Sequence, residues 1–181
     1  MQKVKKIKII LGLIYFVILS SFLILLFSKF SLQEITSYDF IKNNRDYFFN
    51  LKDSNLVLLS LFFVLGSILW VFLLGFGSPL ALIAGFIFGK WLGISLLIVG
   101  MSFGATLLYI FGNYFLKDLI KEKFSKKFKV LENKFKKSEF IYLLLYRFIG
   151  GIPFAISNLL PCIFDVKIYN FFWATFLGLF P

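Results

Sequence analysis

The stretch from Tyr146 to Asp165 carries the residues best suited to chemistry, inside a segment that is otherwise almost wholly apolar. A guanidinium such as that of Arg147 binds phosphates and carboxylates through parallel hydrogen bonds, and the amide of Asn158 can donate or accept nearby. An arginine at the centre of a membrane helix costs roughly 2.5 to 3.5 kcal/mol, so Arg147 needs a partner. The candidates are backbone carbonyls freed around residues 150–153, the carboxylate of Asp165, and a lipid phosphate. Phosphate is the natural bidentate partner of arginine.

Each polar side chain also has a purely structural interpretation. Arg147 could extend to the membrane interface from a shallow half-helix, and Asn158 could cap a helix or hydrogen-bond to a neighbouring one. Lys90 beside Trp91 is typical of an interfacial anchor rather than of a ligand-binding pair. The structural and the binding interpretations therefore both stay open from these residues alone.

Helix-breaking residues surround Arg147 and recur earlier in the chain. The later set comprises Gly150, Gly151, Pro153 and Pro161, and the earlier set comprises Pro79, Gly85 and Gly89. About a dozen residues separate Pro79 from Lys90, which is short for a membrane crossing and suits a half-helix that enters and leaves on one side. Broken backbone at membrane depth is tolerated only where it is buried in protein or lines a cavity. The breakers therefore indicate an internal polar space.

The two interrupted segments occupy corresponding places. Pro79 and Pro153 are followed, at the same distance along the chain, by Gly104 and Gly178. Paired interrupted segments of this kind point to an inverted repeat with a site near the membrane midplane.

The composition places these segments in a membrane. The chain has 181 residues, of which 60% are hydrophobic and 16% charged. A soluble domain of this size could not bury so much apolar surface. Three further apolar runs are long enough to span a bilayer as helices, namely residues 7–27, 56–76 and 94–115. The first follows a lysine-rich start and lacks a cleavage site of small residues, so we interpret it as a retained helix.

The lysine-rich stretch at residues 117–138 has phenylalanines and other apolar residues at steps of three or four, which predicts an amphipathic helix in the membrane interface. A solvated helical linker is the alternative. If residues 7–27, 56–76 and 94–115 all cross and residues 77–93 do not, this helix and the lysine-rich N-terminus fall on opposite sides. The positive-inside rule favours the same side.

Several function classes are disfavoured by what the chain contains. It has no histidine and a single cysteine, Cys162, so the sequence offers neither an imidazole base nor a Cys or His metal cluster. The membrane segments supply no pair of carboxylates for acid–base work, so we expect no enzyme, metal or cofactor. The net charge of +11 lies at the ends of apolar segments, which favours anionic lipid headgroups over nucleic acid as the partner.

The motif around Arg147, RFIGGIPFAISNLLPCIF followed by FWATFLGLFP, resembles the signature of the VTT-domain superfamily of DedA-like and SNARE-associated Golgi proteins. The earlier SPLALIAGFIFGKWLG resembles the first re-entrant segment of that family. Position by position, Arg147, Pro153, Asn158 and Pro161 match the second loop of the family, and Pro79, Gly85 and Gly89 match the first. Gly150 and Gly151 belong to the second motif, and Phe88 and Gly93 to the glycine and phenylalanine spacing of the first. Together with Asp165, a candidate from its place after the second loop, these residues are the ones we expect to line a path for lipid. No acidic residue occurs in residues 74–93, unlike in DedA proteins proper, which argues against proton coupling.

The predicted fold is therefore all-α: a polytopic membrane helical bundle with two re-entrant hairpins and an interfacial amphipathic helix. We expect an N-terminal part, residues 1–55, and a VTT or DedA-like domain, residues 56–181, with re-entrant segments at 77–93 and 140–165 and without the family's last helix. The resemblance implies a phospholipid scramblase or an undecaprenyl-phosphate flippase in a bacterial plasma membrane, as a monomer or a homo-oligomer. A proton- or ion-linked solute transporter and a non-transporting scaffold are the alternatives.

Overall fold

The computed structural model describes residues 10, 12–21, 24, 28, 50, 53–73, 77–115, 117, 137–149 and 152–180. Regular structure within these ranges is entirely helical, in agreement with the predicted fold class. The chain divides into two compact units, Met1–Arg45 and Asp46–Pro181. The first unit contains helix α1, Gly12–Ser21, which is apolar throughout most of its length.

Among its described residues, the second unit has five further helices and one short 3-10 segment. They are α2 (Leu56–Phe72), α3 (Gly77–Phe115), α4 (Glu139–Ile149), α5 (Phe154–Leu159), the 3-10 segment Leu160–Ile163, and α6 (Ile168–Gly178). Helix α2 begins sharply because the side chain of Asn55 accepts a hydrogen bond from the backbone N–H of Leu58 at 3.0 Å, as an N-cap does. The amphipathic helix predicted for residues 117–138 lies outside the described residues, apart from Lys117, Lys137 and Ser138.

Helix α3 is bent back on itself at Gly89, whose φ of 77° and ψ of −176° are not helical. A Cβ added to Gly93 would lie 2.5 Å from the carbonyl oxygen of Ala84, and one added to Gly77 would lie 2.8 Å from the Met101 side chain. In a straight helix these pairs would be roughly 14 and 36 Å apart. Residues 77–88, the short arm, therefore run antiparallel to residues 90–115, the long arm.

Helix α2 packs against the long arm in the same direction. A Cβ on Gly100 would meet Ser67 at 2.7 Å, and one on Gly104 would meet the carbonyl oxygen of Ile68 and the side chain of Val71 at 2.8 Å. These glycines let the two helices approach closely. Helix α2 is parallel to the long arm and the short arm is antiparallel to it. Helix α2 and the short arm are therefore antiparallel to each other and form a first hairpin. Its turn follows Phe72 and its open end lies beside Lys90.

The remaining helices form a second hairpin that enters from the opposite end. Helix α6 is antiparallel to the long arm, since Asp165 contacts Lys117 while Phe172 contacts Phe103. Helix α4 runs with α6, since its first residue contacts Lys167 and its end contacts Gly178. Helix α5 and the 3-10 segment return toward Asp165. The second hairpin therefore opens beside Lys117 and reverses between the end of α4 and the start of α5.

The two hairpins correspond as an inverted pair. Gly104 of the long arm packs on Ile68 and Val71, and Gly178 of α6 packs on Leu144 and Arg147. Each hairpin joins its following helix through a residue with positive φ, Gly89 at 77° in the first half and Asp165 at 55° in the second. By this correspondence Arg147 takes the place that Val71 has in the first half.

The structure also refines the first half. The sequence predicted a hairpin within residues 77–93, and a reversal lies there, at Gly89. A second reversal separates α2 from α3, so that residues 56–72 form an arm of a hairpin rather than an independent segment. Of the described helices, α3 is the one that is long and apolar enough to cross a membrane. Its long arm alone extends for about 39 Å.

The core lies where the long arm, α2, α4 and α6 meet. It includes Val71, Ala105, Tyr109, Leu143 and Phe171, each at most 2% exposed. The outward surface is also apolar: Val57, Phe62, Leu65 and Leu69 on α2 are all more than half exposed. An apolar exterior around a packed core is what a helix bundle surrounded by lipid requires.

Candidate functional site

Arg147 is held by three side chains from two other helices. Its Nη1 donates to the hydroxyl of Ser157 at 2.6 Å, and its Nη2 donates to Oδ1 of Asn158 at 2.7 Å and to the hydroxyl of Thr175 at 2.9 Å. These bonds connect the end of α4 to α5 and α6. All three acceptors are neutral, so within the described part of the chain the guanidinium keeps a net positive charge that no carboxylate contacts.

Aromatic rings and a glycine complete the setting of Arg147. Its guanidinium carbon lies 5.3 Å from the ring centre of Phe171 and 5.6 Å from that of Phe154. Both distances are within the range of cation–π attraction. A Cβ on Gly178 would lie 2.5 Å from the Cβ of Arg147. Only glycine at position 178 leaves room for α6 to pass the arginine at this distance.

Two hydrogen-bonding groups near Arg147 have no partner among the described residues. They are the hydroxyl of Tyr146 and Nδ2 of Asn158, whose side chain is 0% exposed. A guanidinium has five N–H groups, and three of those of Arg147 are used. Within the described residues, the N–H of Nε and one N–H of Nη1 therefore have no hydrogen-bond partner.

Arg147 also lines a cleft with a volume of about 180 Å³. The other lining residues are Tyr146, Ile152, Phe154, Ser157 and Leu179. These residues belong to the ends of α4 and α6 and to the start of α5, so the cleft lies at the turn of the second hairpin, on its side toward Lys90. A concave apolar surface with one cation and a few hydroxyls can take an anion attached to an apolar group.

The second-loop residues named from the sequence do not form a single cluster. Pro153 is the N-cap of α5, and Pro161 is buried in the 3-10 segment. Asn158 contacts Arg147 directly. Gly150 and Gly151 lie outside the described residues. Asp165 does not contact Arg147: its carboxylate forms an ion pair with Lys117 at 2.6 Å.

The first-loop residues have structural surroundings instead of polar ones. Pro79 and Phe88 are buried, and the Phe88 ring packs on Phe63 at 5.3 Å. Gly89 supplies the bend and Gly93 the close approach to the short arm. Gly85 faces open space. The structure therefore concentrates the polar groups of the candidate site in the second half.

Sequence reasoning missed three residues of this site: Ser157, Thr175 and Tyr146. Serine, threonine and tyrosine are common in membrane helices and carry no signal by themselves. The available signal was spacing, because Ser157 immediately precedes Asn158, and Thr175 is one turn before Gly178.

The fold and this site define a class: an α-helical membrane protein with two inverted hairpins and a buried arginine at the turn of one of them. Comparison with known families agrees, since the model of the VTT domain matches residues 75–181. The chain belongs to the VTT domain family, as its motifs predicted.

The chain is also similar in sequence to three curated proteins. The chain is 26% identical to a transmembrane protein 41 homolog of Caenorhabditis elegans over 121 residues, which are 63% of this chain and 49% of the relative. A transmembrane protein 41 homolog of Dictyostelium discoideum is 27% identical over 122 residues, 64% of this chain and 36% of the relative. The uncharacterized protein YqeD of Bacillus subtilis (strain 168) is 32% identical over 108 residues, 57% of this chain and 52% of the relative. The chain thus spans about half or less of these relatives. No solved structure matches it.

Proposed function

We propose that this protein moves lipids between the two leaflets of a membrane, as a scramblase or flippase, and that Arg147 binds the phosphate of the headgroup. The observation that carries the proposal is a guanidinium that lines a cleft and has two N–H groups without a partner among the described residues. Charge-assisted hydrogen bonds to phosphate are among the strongest that a side chain can form.

The depth of Arg147 supports the proposal. Its partner Thr175 lies one turn beyond Phe171, whose ring stacks on Tyr109 of the long arm at 4.4 Å. Because α6 runs against the long arm, Arg147 lies near the middle of residues 90–115. With the long arm crossing the bilayer, the guanidinium is close to the midplane, where the barrier for a charged headgroup is highest. A cation at that depth lowers the barrier for a phosphate.

The composition of the cleft matches an amphipathic substrate. Phe154, Ile152 and Leu179 supply apolar surface on which acyl or prenyl chains can lie, while Ser157 and Tyr146 supply hydroxyls beside the guanidinium. A headgroup can therefore pass Arg147 while its chains stay in the lipid. We place this activity in the plasma membrane of a bacterium.

The test is lipid exchange in proteoliposomes. The purified chain is reconstituted with a trace of fluorescent phospholipid, and dithionite added outside destroys the fluorophores that reach the outer leaflet. We expect fluorescence to fall well below the half that protein-free vesicles retain. A plateau at that half, for phosphatidylglycerol and for a polyprenyl phosphate alike, would contradict lipid translocation. Gradient-dependent flux of a small solute in the same vesicles would favour the transporter alternative.

The fold also predicts the sidedness of the chain. Both ends of the first hairpin lie beside Lys90, so α2 and the short arm together add no crossing, whereas the long arm adds one. With residues 7–27 as a second crossing, as the sequence predicts, we expect the lysine-rich N-terminus and the lysine-rich residues 117–138 on the same side. The positive-inside rule then places both in the cytoplasm. Impermeant thiol labelling of Cys162→Ala chains, each carrying one new cysteine at Lys3, Lys90 or Lys127, should give the first and last the same sidedness and Lys90 the other.

A further inference from the structure

The two ends of the second hairpin differ in how they are closed. The cleft at Arg147 lies toward the Lys90 end of the long arm. At the Lys117 end, a row of side chains from the end of the long arm and from Lys117 just beyond it holds the returning backbone of residues 162–166. Tyr109, Asn113 and Lys117 are spaced four residues apart and so share one face of the helix.

Each member of this row contacts the returning segment. The hydroxyl of Tyr109 donates to the carbonyl of Val166 at 2.6 Å, and the Cys162 thiol donates to the carbonyl of Tyr109 at 3.6 Å. Nδ2 of Asn113 lies 3.4 Å from Oδ1 of Asp165, and Nζ of Lys117 lies 2.6 Å from Oδ2 of the same carboxylate. We call the Asp165 carboxylate with Lys117 and Asn113 the latch.

The latch lies at a reversal of the backbone. Asp165 has a φ of 55°, a left-handed conformation that aspartate and asparagine adopt more readily than other residues with a side chain. Its carboxylate is held there at both oxygens, by a lysine and by an amide. The side chain of Lys117 is 26% exposed and that of Asp165 47% exposed, so the pair lies at the surface, where it can open.

Contiguous contacts connect the latch to the candidate site. Tyr109, bonded to Val166 next to the latch, stacks on Phe171 with ring centres 4.4 Å apart. Arg147 completes the series, since its guanidinium carbon lies 5.3 Å from the centre of the same Phe171 ring. The tyrosine and phenylalanine rings, both 0% exposed, separate Arg147 from the Lys117 end.

We infer that the latch is the gate that closes the path to Arg147 from the Lys117 end, and that the structure is the state open toward the Lys90 end. This inference rests on the proposed function, because a gate is needed only where a substrate passes. Release of Asp165 leaves the bonds of Tyr109 to Val166 and Cys162 as remaining polar contacts between residues 162–166 and the long arm, so that this segment can open and expose the path at the Lys117 end.

The chain contains its own reporter for this gate. Cys162 is its single cysteine, is 0% exposed, and packs against Gly112 directly behind the latch. In proteoliposomes, an impermeant cationic methanethiosulfonate should label Cys162 slowly in the unaltered chain. We expect at least tenfold faster labelling in Asp165→Asn and Lys117→Gln, and slow labelling in Lys117→Arg, which keeps the cation. Asparagine tolerates the left-handed conformation, so Asp165→Asn removes the charge without changing the backbone preference.

Lys167→Gln is the matched control, because Lys167 is exposed on the same turn and has no ion pair within the described residues. Its labelling should equal that of the unaltered chain. Equal labelling in Asp165→Asn and Lys167→Gln, in chains that elute as a single peak and unfold at the unaltered temperature, would overturn the latch.

Lipid exchange measured in the same vesicles separates the two proposals. Severalfold faster exchange in Asp165→Asn, together with faster labelling, supports a gate on a lipid path. Faster labelling without exchange in any variant supports a latch in a protein that does not move lipid, so the proposed function fails while the latch holds. If all variants exchange lipid and the labelling rate of Cys162 is unchanged in each of them, the gate is refuted while the proposed function stands.

Discussion

Replacement of Arg147 by alanine is expected to lower the rate of lipid exchange by about tenfold to a hundredfold. This range follows from the loss of a charge-assisted hydrogen bond to phosphate, worth about 1.5 to 3 kcal/mol, at roughly 1.4 kcal/mol for each factor of ten in rate. The measurement is the dithionite assay with equal protein-to-lipid ratios. Alanine also removes the donor for Ser157, Asn158 and Thr175, so unfolding in detergent must be followed for the same preparations.

Two further variants distinguish phosphate binding by Arg147 from its structural role in connecting α4 to α5 and α6. Arg147→Lys keeps the charge but not the planar fork, and a lysine cannot reach acceptors on α5 and α6 and still present two donors to a ligand. We expect it to recover less than half of the lost rate. Lys90→Ala removes a cation that is exposed at the bend and should leave the rate unchanged. Undiminished exchange in a folded Arg147→Ala protein would leave Arg147 with a structural role only.

The second hairpin was predictable because its sequence violates the rules of a membrane helix. Arg147, Pro153 and Pro161 cannot all lie in one uninterrupted apolar span, so a break with a polar lining had to occur there. The first hairpin was predictable only in part. Residues 56–76 are almost wholly apolar and long enough to cross, so the sequence predicted a spanning helix through Phe76. The glycines and proline of residues 75–79 mark a break after this run, but they do not show that the preceding helix lies parallel to the long arm, which depends on its packing against Gly100 and Gly104.

The partners of Arg147 show a similar limit. The sequence analysis offered freed backbone carbonyls near residues 150–153, Asp165 and a lipid phosphate as partners, because a cation at membrane depth needs a group that offsets its cost. In the structure, two hydroxyls and an amide hold the guanidinium, and Asp165 is paired with Lys117. Contacts between residues that are far apart along the chain, such as Arg147 and Thr175, depend on the inverted packing of α4 and α6. Composition and spacing do not contain that information.

The second large prediction concerns the stability of alanine variants at Gly93 and Gly85. Both glycines belong to the first-loop motif, but only Gly93 is in close contact with other atoms. A methyl group on Gly93 would lie 2.5 Å from the carbonyl oxygen of Ala84 and 2.8 Å from its carbonyl carbon, both rigid backbone atoms. Gly93→Ala must therefore force the short arm away from the long arm, and we expect a loss of about 3 kcal/mol in the free energy of unfolding, the upper part of the range for overpacking.

Gly85→Ala is the matched control on the facing arm. Nothing lies within 4 Å of a methyl group at that position, and alanine is favoured over glycine within a helix by about 0.5 to 1 kcal/mol. We expect this variant to be as stable as the unaltered chain or slightly more so, whether unfolding is driven by heat or by denaturant in detergent and followed by circular dichroism. Equal destabilisation by both substitutions would mean that the short arm does not fold back on the long arm. The bend at Gly89 would then be wrong. The correspondence between the two hairpins, in which Arg147 and Val71 occupy equivalent positions, would also be wrong, because it depends on that reversal.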